Sequence, residues 1–272
     1  MGAIMPIIKK NGVEIYYEEA GTGFPLLVLP GGGLNATVAG LKNHAFNPIS
    51  KFSNKYRVVA LDLRNANDGK TIGPLEIEKT WDSFTEDQLT LMDYLGIEKF
   101  MVLGFCIGGP LIWNLLRKAK HRVTSATLVH PSGFTSSHPD IYFRNNITGW
   151  TPNLIKNNPK ITLEMAKDFL NNMYRKRADF VFTVDRNFVK NCETPILILP
   201  DDIPAHPYAT AMETALLAPN SQVSLYPWKE NDRKIELALR HISVFLSFYS
   251  QSDSIKRRDN NKTPNNSLVS QN

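Results

Sequence analysis

The sequence has few cysteines and no long apolar segment, and both absences limit what the protein can be. Only two cysteines, Cys106 and Cys192, occur among 272 residues. They are too few for a disulfide framework and lack the spacing of metal ligands. No uninterrupted run of about 18 apolar residues is present, and the first residues become charged too soon for a signal peptide. We therefore expect a cytoplasmic protein without a metal centre that does not associate with membranes.

Strong charge of one sign is also missing. The formal net charge is +5, and the segment 251–272 supplies part of it with four basic and two acidic residues. This segment is rich in Asn and Ser and poor in apolar residues, so we expect a disordered tail. No basic stripe interleaved with aromatic residues occurs elsewhere, which argues against nucleic acid as a partner.

Short apolar runs bounded by turn residues alternate with helical patterns along the chain. Several runs are apolar on both faces, as in a parallel sheet that is covered on each side. Such runs are typical of strands, and they occur at 13–20, 25–30, 56–63, 99–105, 123–130, 195–200 and 221–228. The alternation predicts an α/β protein with a doubly wound, mostly parallel sheet.

One segment, 131–192, does not follow this alternation. It separates two predicted strands and contains a helical pattern at 161–177. The segment is too long for a simple crossover and too regularly patterned for a loop. We predict a helical lid insertion at 131–192, with the core of the domain formed by residues 1–130 and 193–250.

The motif GFCIGG at 104–109 lies where a predicted strand meets a predicted helix. Small residues let the backbone turn sharply there and lift the side chain of Cys106 above the sheet. A thiol at a helix N-terminus has a lowered pKa, which makes it a better nucleophile. The alternative is that Cys106 fills space in a glycine-rich turn. Cys192 has no such surroundings and is interpreted as structural.

A second glycine-rich motif, LLVLPGGGLNAT at 26–37, follows an earlier apolar strand. Its backbone N–H groups are suited to stabilise an oxyanion. We predict the N–H groups of Gly32 and Ile107 as the two donors. Both motifs follow strands at the carboxyl edge of the sheet, where open α/β sheets bind ligands. A simple tight turn is the alternative for the glycine-rich motif.

Together these motifs resemble those of the α/β-hydrolase superfamily over roughly residues 13–249. VLPGGG resembles the oxyanion loop, VVALDLRNAN a second family segment, GFCIGG the nucleophile elbow, and PILILP followed by DDIPAHP the turn that carries the acid. Serine is the usual nucleophile, and dienelactone hydrolases and polyhydroxyalkanoate synthases are similar to this chain in having cysteine. The resemblance implies acyl or carbonyl chemistry at Cys106, under a lid formed by 131–192, and we expect no cofactor.

The position of the histidine base departs from the family pattern. The family's histidine follows the last strand, but the corresponding loop here, PWKENDR at 227–233, has none. His206 follows the acid-bearing strand between two prolines and is our candidate base. His241 on the last helix, Glu230 in the altered loop, and the absence of any histidine base remain alternatives. The other four histidines are assigned to packing or surface positions: His44, His121, His130 and His138.

The acid and the pocket are predicted less directly. Asp202 fits the family position slightly better than Asp201, and a carboxylate near His206 would orient its ring. We expect a mostly apolar substrate pocket, although core packing is the competing role for each candidate. The pocket candidates are Leu34, Phe105 and Trp150, with Tyr142, Phe143, Met173 and Trp113 as further possibilities.

Two classes of function follow from these residues. The first is a hydrolase that attacks a small ester, lactone or thioester with Cys106 and forms a thioacyl intermediate. An acyltransferase would use the same intermediate. The second class is a catalytically weak or inactive protein of the hydrolase fold that binds a small ligand in the same pocket. The sequence indicates neither the substrate nor the oligomeric state.

Overall fold

The structure is a computed structural model that describes residues 6–260, the last ten in backbone only. The described strands form one eight-stranded sheet. They are β1 (Ile7–Lys10), β2 (Val13–Ala20), β3 (Phe24–Leu29), β4 (Tyr56–Leu61), β5 (Phe100–Phe105), β6 (Val123–Val129), β7 (Ile196–Leu199) and β8 (Ser221–Val223). The strand order is β1-β2-β4-β3-β5-β6-β7-β8, with β1 and β2 antiparallel and the others parallel. This arrangement confirms the predicted fold class.

Helices cover both faces of the sheet. They are α1 (Pro48–Phe52), α2 (Thr80–Tyr94), α3 (Gly108–Ala119), α4 (Ile141–Gly149), α5 (Thr151–Asn157), α6 (Leu163–Tyr174), α7 (Arg186–Lys190), α8 (Tyr208–Leu217) and α9 (Asp232–Asn260). Among the described residues, no helix is long and apolar enough to cross a membrane.

Alternation along the central strands divides the core into two layers. In β3, Leu27 and Leu29 pack with α2, α3 and the segment 131–192, whereas Leu26 and Val28 pack with α1 and α9. Successive side chains of a strand point to opposite faces, so a strand that is apolar throughout supplies both layers. All six residues of β5 are buried. The fully apolar runs in the sequence therefore correspond to the most enclosed strands.

Residues 131–192, which we call the helical insertion, carry α4 to α7 between β6 and β7. The insertion lies against the rest of the domain through specific hydrogen bonds. Trp81 on α2 donates from Nε1 to the carbonyl of Met173 at 3.0 Å. Tyr142 on α4 donates from Oη to the carbonyl of Ala205, after β7, at 2.6 Å. The helix predicted at 161–177 corresponds to α6.

The C-terminal helix α9 extends further than the sequence analysis predicts. Its backbone continues to Asn260, ten residues into the segment assigned to the disordered tail. The rest of that tail, 261–272, lies outside the described residues.

A substitution at Gly104 tests how closely the end of β5 packs against the start of α3. A Cβ atom at Gly104 would lie 2.9 Å from backbone atoms of Gly108. Backbone cannot move aside cheaply, so we expect Gly104→Ala to cost about 1–3 kcal/mol and lower the Tm by several degrees.

Gly149→Ala is the control, because a Cβ there meets no atom within 4 Å. Alanine favours a helix more than glycine does, so its Tm should be unchanged or slightly raised. An unchanged Tm for Gly104→Ala, measured by calorimetry, would contradict the packing described for this junction.

Candidate active site

Cys106 occupies the sharp turn between β5 and α3. Its φ of 53° lies in the left-handed region, which is strained for a residue with a side chain. The turn is held by the backbone of Cys106. Its N–H donates to Val129 at 3.0 Å, and its carbonyl accepts from Gly109 and Ser132 at 2.9 Å each. The thiol is therefore presented at the carboxyl edge of the sheet, and it is partly exposed.

His206 and Asp201 come to the same edge from the loop after β7. His206 Nδ1 lies 3.0 Å from Asp201 Oδ2. The opposite ring nitrogen, Nε2, is buried and has no hydrogen-bond partner in the described structure. The Cys106 thiol nevertheless lies close enough to the ring for hydrogen bonding and charge between the two groups to shift the pKa of both. Loose contacts of this kind are common in unliganded active sites.

The acid that contacts His206 is Asp201, and the expectation for Asp202 is wrong on this point. Asp201 follows Pro200, just after the end of β7, and is only 9% exposed. Asp202 is exposed to solvent. Neighbouring residues at a strand end point in opposite directions, so a shift of one position exchanges the inner and outer carboxylates. The motif spacing could not resolve that choice.

Lys229 occupies the loop in which the expected histidine is missing. Its Nζ lies 2.6 Å from Asp201 Oδ2, the oxygen that also contacts His206. The neighbouring Trp228 anchors the loop by donating from Nε1 to the carbonyl of Pro200 at 3.0 Å. Burial raises the pKa of Asp201, but Lys229 and His206 outweigh burial, so the net shift is downward. Asp201 is therefore ionised at neutral pH.

The surroundings of the thiol favour its ionised form. Burial raises the pKa of Cys106, but His206, the Ser132 hydroxyl and the Gly32 N–H outweigh burial and bring the pKa to about 6. Burial lowers the pKa of His206, while Cys106 and Asp201 raise it by more, so its net shift is upward. The two shifts are those of a thiolate and an imidazolium that stabilise each other. A reactive thiolate is thus available near neutral pH.

The other histidines near the thiol serve as packing for this pair. The His130 ring is 5% exposed, with its centroid 4.7 Å from that of His206, and it stacks on Trp228. His44 stacks on Phe105 with centroids 4.4 Å apart. Burial lowers the pKa of both rings, that of His130 to well below its ordinary value. Both are neutral aromatic neighbours of His206 at neutral pH.

The two alternative bases have partners elsewhere. His241 on α9 lies 3.0 Å from Gln222 on β8, measured from Nε2 to Oε1. Glu230 is exposed and pairs with Lys234. In the described part of the chain, neither side chain forms a hydrogen bond to His206 or Cys106. Within the described residues, no group of three or more His, Cys, Asp or Glu side chains is arranged to hold a metal ion.

The glycine-rich loop after β3 lies against the thiol. Gly32 has a φ of 125°, which residues with side chains rarely adopt. Its N–H reaches the sulfur and helps to lower the thiol pKa. A Cβ at Gly31 would lie 2.8 Å from the His44 ring and 3.2 Å from the Cys106 Cβ. Ile107 immediately precedes α3. Gly32 and Ile107 lie next to Cys106, and their role as oxyanion donors remains a prediction.

The predicted pocket residues belong to the core. Leu34, Phe105 and Trp150 are each at most 1% exposed. Phe105 packs beneath His44, and Trp150 donates from Nε1 to the carbonyl of Asn65 at 2.8 Å. Large apolar residues carry a strong burial signal, but that signal does not distinguish a core from a pocket. We therefore correct this expectation: these three side chains are part of the hydrophobic core and do not line an open pocket.

Polar side chains from the insertion approach the thiol instead. Ser132 Oγ lies 3.3 Å from Cys106 Sγ. The Tyr142 hydroxyl accepts from the N–H of Gly133 at 3.1 Å and donates to the carbonyl of Ala205 at 2.6 Å. Tyr142 thereby ties the insertion to the loop that carries His206. Ser132 follows the end of β6, and that position after a strand was the one sequence signal for it.

The order of strands, the elbow and the acid after β7 define the class of the protein. A family model described as alpha/beta hydrolase fold matches residues 25–268, and the chain belongs to that family.

Two curated relatives match about half of this chain and less than half of their own length. The carboxylesterase YbfK of Bacillus subtilis is 32% identical over 127 residues, which are 46% of this chain and 40% of the relative. Epoxide hydrolase 4 of Mus musculus is 29% identical over 149 residues, covering 51% of this chain and 39% of the relative.

Solved structures support the fold over most of the chain. The enol-lactonase of Burkholderia xenovorans superposes with a TM-score of 0.63 at 18% identity, covering 89% of this chain and 100% of that chain. The naproxen esterase of Bacillus subtilis gives a TM-score of 0.58 at 20% identity, covering 80% and 81%.

Alkylation tests the ionisation of Cys106. Because its pKa is lowered to about 6, the iodoacetamide rate should rise from about pH 5 and level off above about pH 7. In His206→Ala the rise should move to higher pH, since burial then acts without the imidazolium. Mass spectrometry of each cysteine-containing peptide measures both rates.

Cys192 is the internal control, because it is 2% exposed and should be alkylated slowly. Equal rates for both cysteines, or a Cys106 rate that still increases above about pH 8, would contradict the thiolate–imidazolium pair.

Proposed function

We propose that the protein is a cysteine-dependent hydrolase of small esters, lactones or thioesters. The observation that carries this proposal is the alignment of Cys106, His206 and Asp201. The thiol interacts with His206 strongly enough for each to shift the pKa of the other, and Nδ1 of His206 lies 3.0 Å from the Asp201 carboxylate. A nucleophile, a base and a group that orients the base are the three parts of nucleophilic acyl transfer.

In the proposed reaction, Cys106 Sγ attacks the carbonyl carbon of the substrate. The carbonyl oxygen becomes an oxyanion, which the N–H groups of Gly32 and Ile107 stabilise. When the tetrahedral intermediate collapses, the bond to the leaving group breaks, and the His206 imidazolium gives that group its proton. A thioacyl enzyme remains, with neutral His206 beside it.

The second half restores the enzyme. His206 takes a proton from a water molecule as the water oxygen attacks the thioacyl carbon. Collapse of the second intermediate breaks the bond to sulfur, releases the carboxylic acid and returns the thiolate. Asp201 keeps the imidazole oriented and stabilises its positive charge in both halves.

The nucleophile favours ester and thioester bonds over amides. A thiolate is a better leaving group than an amine anion, so an amide intermediate would return to substrate unless the amine were protonated first. The printed names of two similar proteins, a carboxylesterase and an enol-lactonase, agree with oxygen esters and lactones as the substrate class. An acyltransferase would differ in the second half alone, where another nucleophile replaces water.

The ligand-binding alternative depends on the histidine missing from the loop after β8. The missing histidine is a weaker argument for this alternative, because His206, on the loop after β7, contacts Asp201. A direct test is to incubate the protein with activated esters, lactones and acyl thioesters and to follow both product release and intact mass. We expect turnover and a mass increase of one acyl group on Cys106.

Cys106→Ala should abolish both signals, and Cys192→Ala, which alters a buried cysteine elsewhere, should retain them. His206→Ala should reduce kcat/KM by about 100-fold or more. If the unaltered protein shows neither turnover nor an acyl adduct with any member of the panel, the hydrolase proposal is wrong and the ligand-binding function is the one that remains.

The neighbouring aspartates provide a matched pair of substitutions. Asp201→Asn removes the charge that orients and stabilises the His206 imidazolium, so kcat/KM should fall by about 100-fold or more. Asp202→Asn changes an exposed carboxylate and should leave kcat/KM within about twofold of the unaltered protein. Steady-state kinetics on one activated ester measures both, and equal losses would show that Asp201 is not the orienting acid.

A further inference from the structure

Lys229 contacts the same carboxylate oxygen as His206. Its Nζ lies 2.6 Å from Asp201 Oδ2, and Nδ1 of His206 lies 3.0 Å from that atom. The two nitrogens are therefore within about 6 Å of each other, a distance at which two positive charges repel. The side chain of Asp201 is only 12% exposed, so solvent and salt screen this repulsion less than they would at the surface.

The loop that carries Lys229 is held in place by the residue before it. Trp228 is buried and donates from Nε1 to the carbonyl of Pro200, which directly precedes Asp201, at 3.0 Å. Its ring also stacks on His130. The backbone beside Lys229 is thus fixed without the lysine side chain. Because a partly exposed ion pair adds little to stability, the contact with Asp201 is better explained by a role in the site than by one in folding.

Several titratable groups surround the imidazole of His206. Those that face it or its carboxylate partner are Cys106 from the elbow, His44 from the loop after β3, His130 from the end of β6, Asp201 and Asp202 from its own loop, and Tyr226 and Lys229 from the loop after β8. Burial lowers the pKa of His44 and His130, so both are neutral. Partial burial and then the charges of the nearby aspartates raise the pKa of Tyr226, which is therefore neutral too.

The charges around His206 change during the proposed reaction. In the resting site the Cys106 thiolate and Asp201 both favour the imidazolium, and the Lys229 cation opposes it. Acylation removes the charge of the sulfur, which leaves Asp201 and Lys229 with opposite effects on the imidazole. The next step needs neutral His206, because the imidazole takes a proton from water. A cation on the shared oxygen favours this neutral form.

We propose that Lys229 is a positioning residue for hydrolysis of the thioacyl enzyme, where it holds the Asp201 carboxylate and limits its charge so that His206 is neutral and can accept a proton. This inference rests on the proposed hydrolase function. In that step the water oxygen bonds to the thioacyl carbon as its proton passes to Nε2 of His206. The bond from carbon to sulfur then breaks, and its electron pair returns to Cys106. Lys229 acts through Asp201 and transfers no proton.

The first test follows thioacyl hydrolysis in Lys229→Met. The protein is acylated with 4-nitrophenyl acetate, and after the excess ester is removed the loss of the acetyl group from Cys106 is followed by intact mass. The rate should rise with pH between about pH 5 and about pH 9 as His206 loses its proton. Without Lys229 the carboxylate stabilises the imidazolium more, so the rise should move at least about half a pH unit higher.

A second measurement reads the charge of His206 without catalysis. In Cys106→Ala, which lacks the thiolate, the His206 ring is titrated by NMR with and without Lys229→Met, and its titration should move to higher pH by at least about half a unit when Lys229 is absent. Lys229→Arg keeps a cation and should restore the original pH dependence in both measurements. Lys234→Met is the matched control, because it removes a nearby cation that pairs with Glu230, and it should move neither curve.

The outcomes separate this inference from the hydrolase proposal. If Lys229→Met slows hydrolysis equally at every pH and leaves the NMR titration in place, the lysine only supports the loop, and the inference is wrong while the hydrolase function stands. A shift of either curve to lower pH overturns it as well. The Tm of Lys229→Met should stay within about 2 °C of the unaltered protein, because Trp228 still anchors the loop. Absence of an acyl-enzyme in the unaltered protein with any activated ester overturns both proposals.

Discussion

The left-handed backbone at Cys106 is the constraint on which the rest of the site depends. This conformation costs about 1–3 kcal/mol for a residue with a side chain, and it persists because three backbone hydrogen bonds hold the turn. One of them, from the N–H of Ser132 to the Cys106 carbonyl, joins the start of the insertion to the elbow. The bond that fixes Cys106 therefore also places the Ser132 hydroxyl beside its sulfur.

His206, the proposed base, departs from the family arrangement and lies close in sequence to the carboxylate that it contacts. His206 and Asp201 are five residues apart on one loop, where family members bring their histidine from the loop after the last strand. That second loop supplies Lys229, which contacts the same carboxylate oxygen. A cation there keeps Asp201 ionised despite burial. It also limits how strongly Asp201 can stabilise the imidazolium, since two positive groups share one oxygen.

Much of the fold could be predicted because continuous apolar runs and turn residues report local structure. The elbow, the oxyanion loop and His206 also lie on short motifs with their own physical signals. Asp201 and the pocket were misassigned, since both depend on side-chain direction. The inner carboxylate differs from Asp202 by one step along the chain, and the Phe105 side chain is fully buried with His44 stacked on it.

The site divides its work between two parts of the chain. The sheet edge supplies Cys106, His206 and Asp201, the proposed nucleophile, base and acid, and each of them follows a strand. The insertion supplies the Ser132 hydroxyl, 3.3 Å from the sulfur, and Tyr142, whose hydroxyl bonds to the backbone of Gly133 and Ala205. A hydroxyl that is hydrogen-bonded on both sides holds structure, so Tyr142 fixes the insertion against the loop that carries His206.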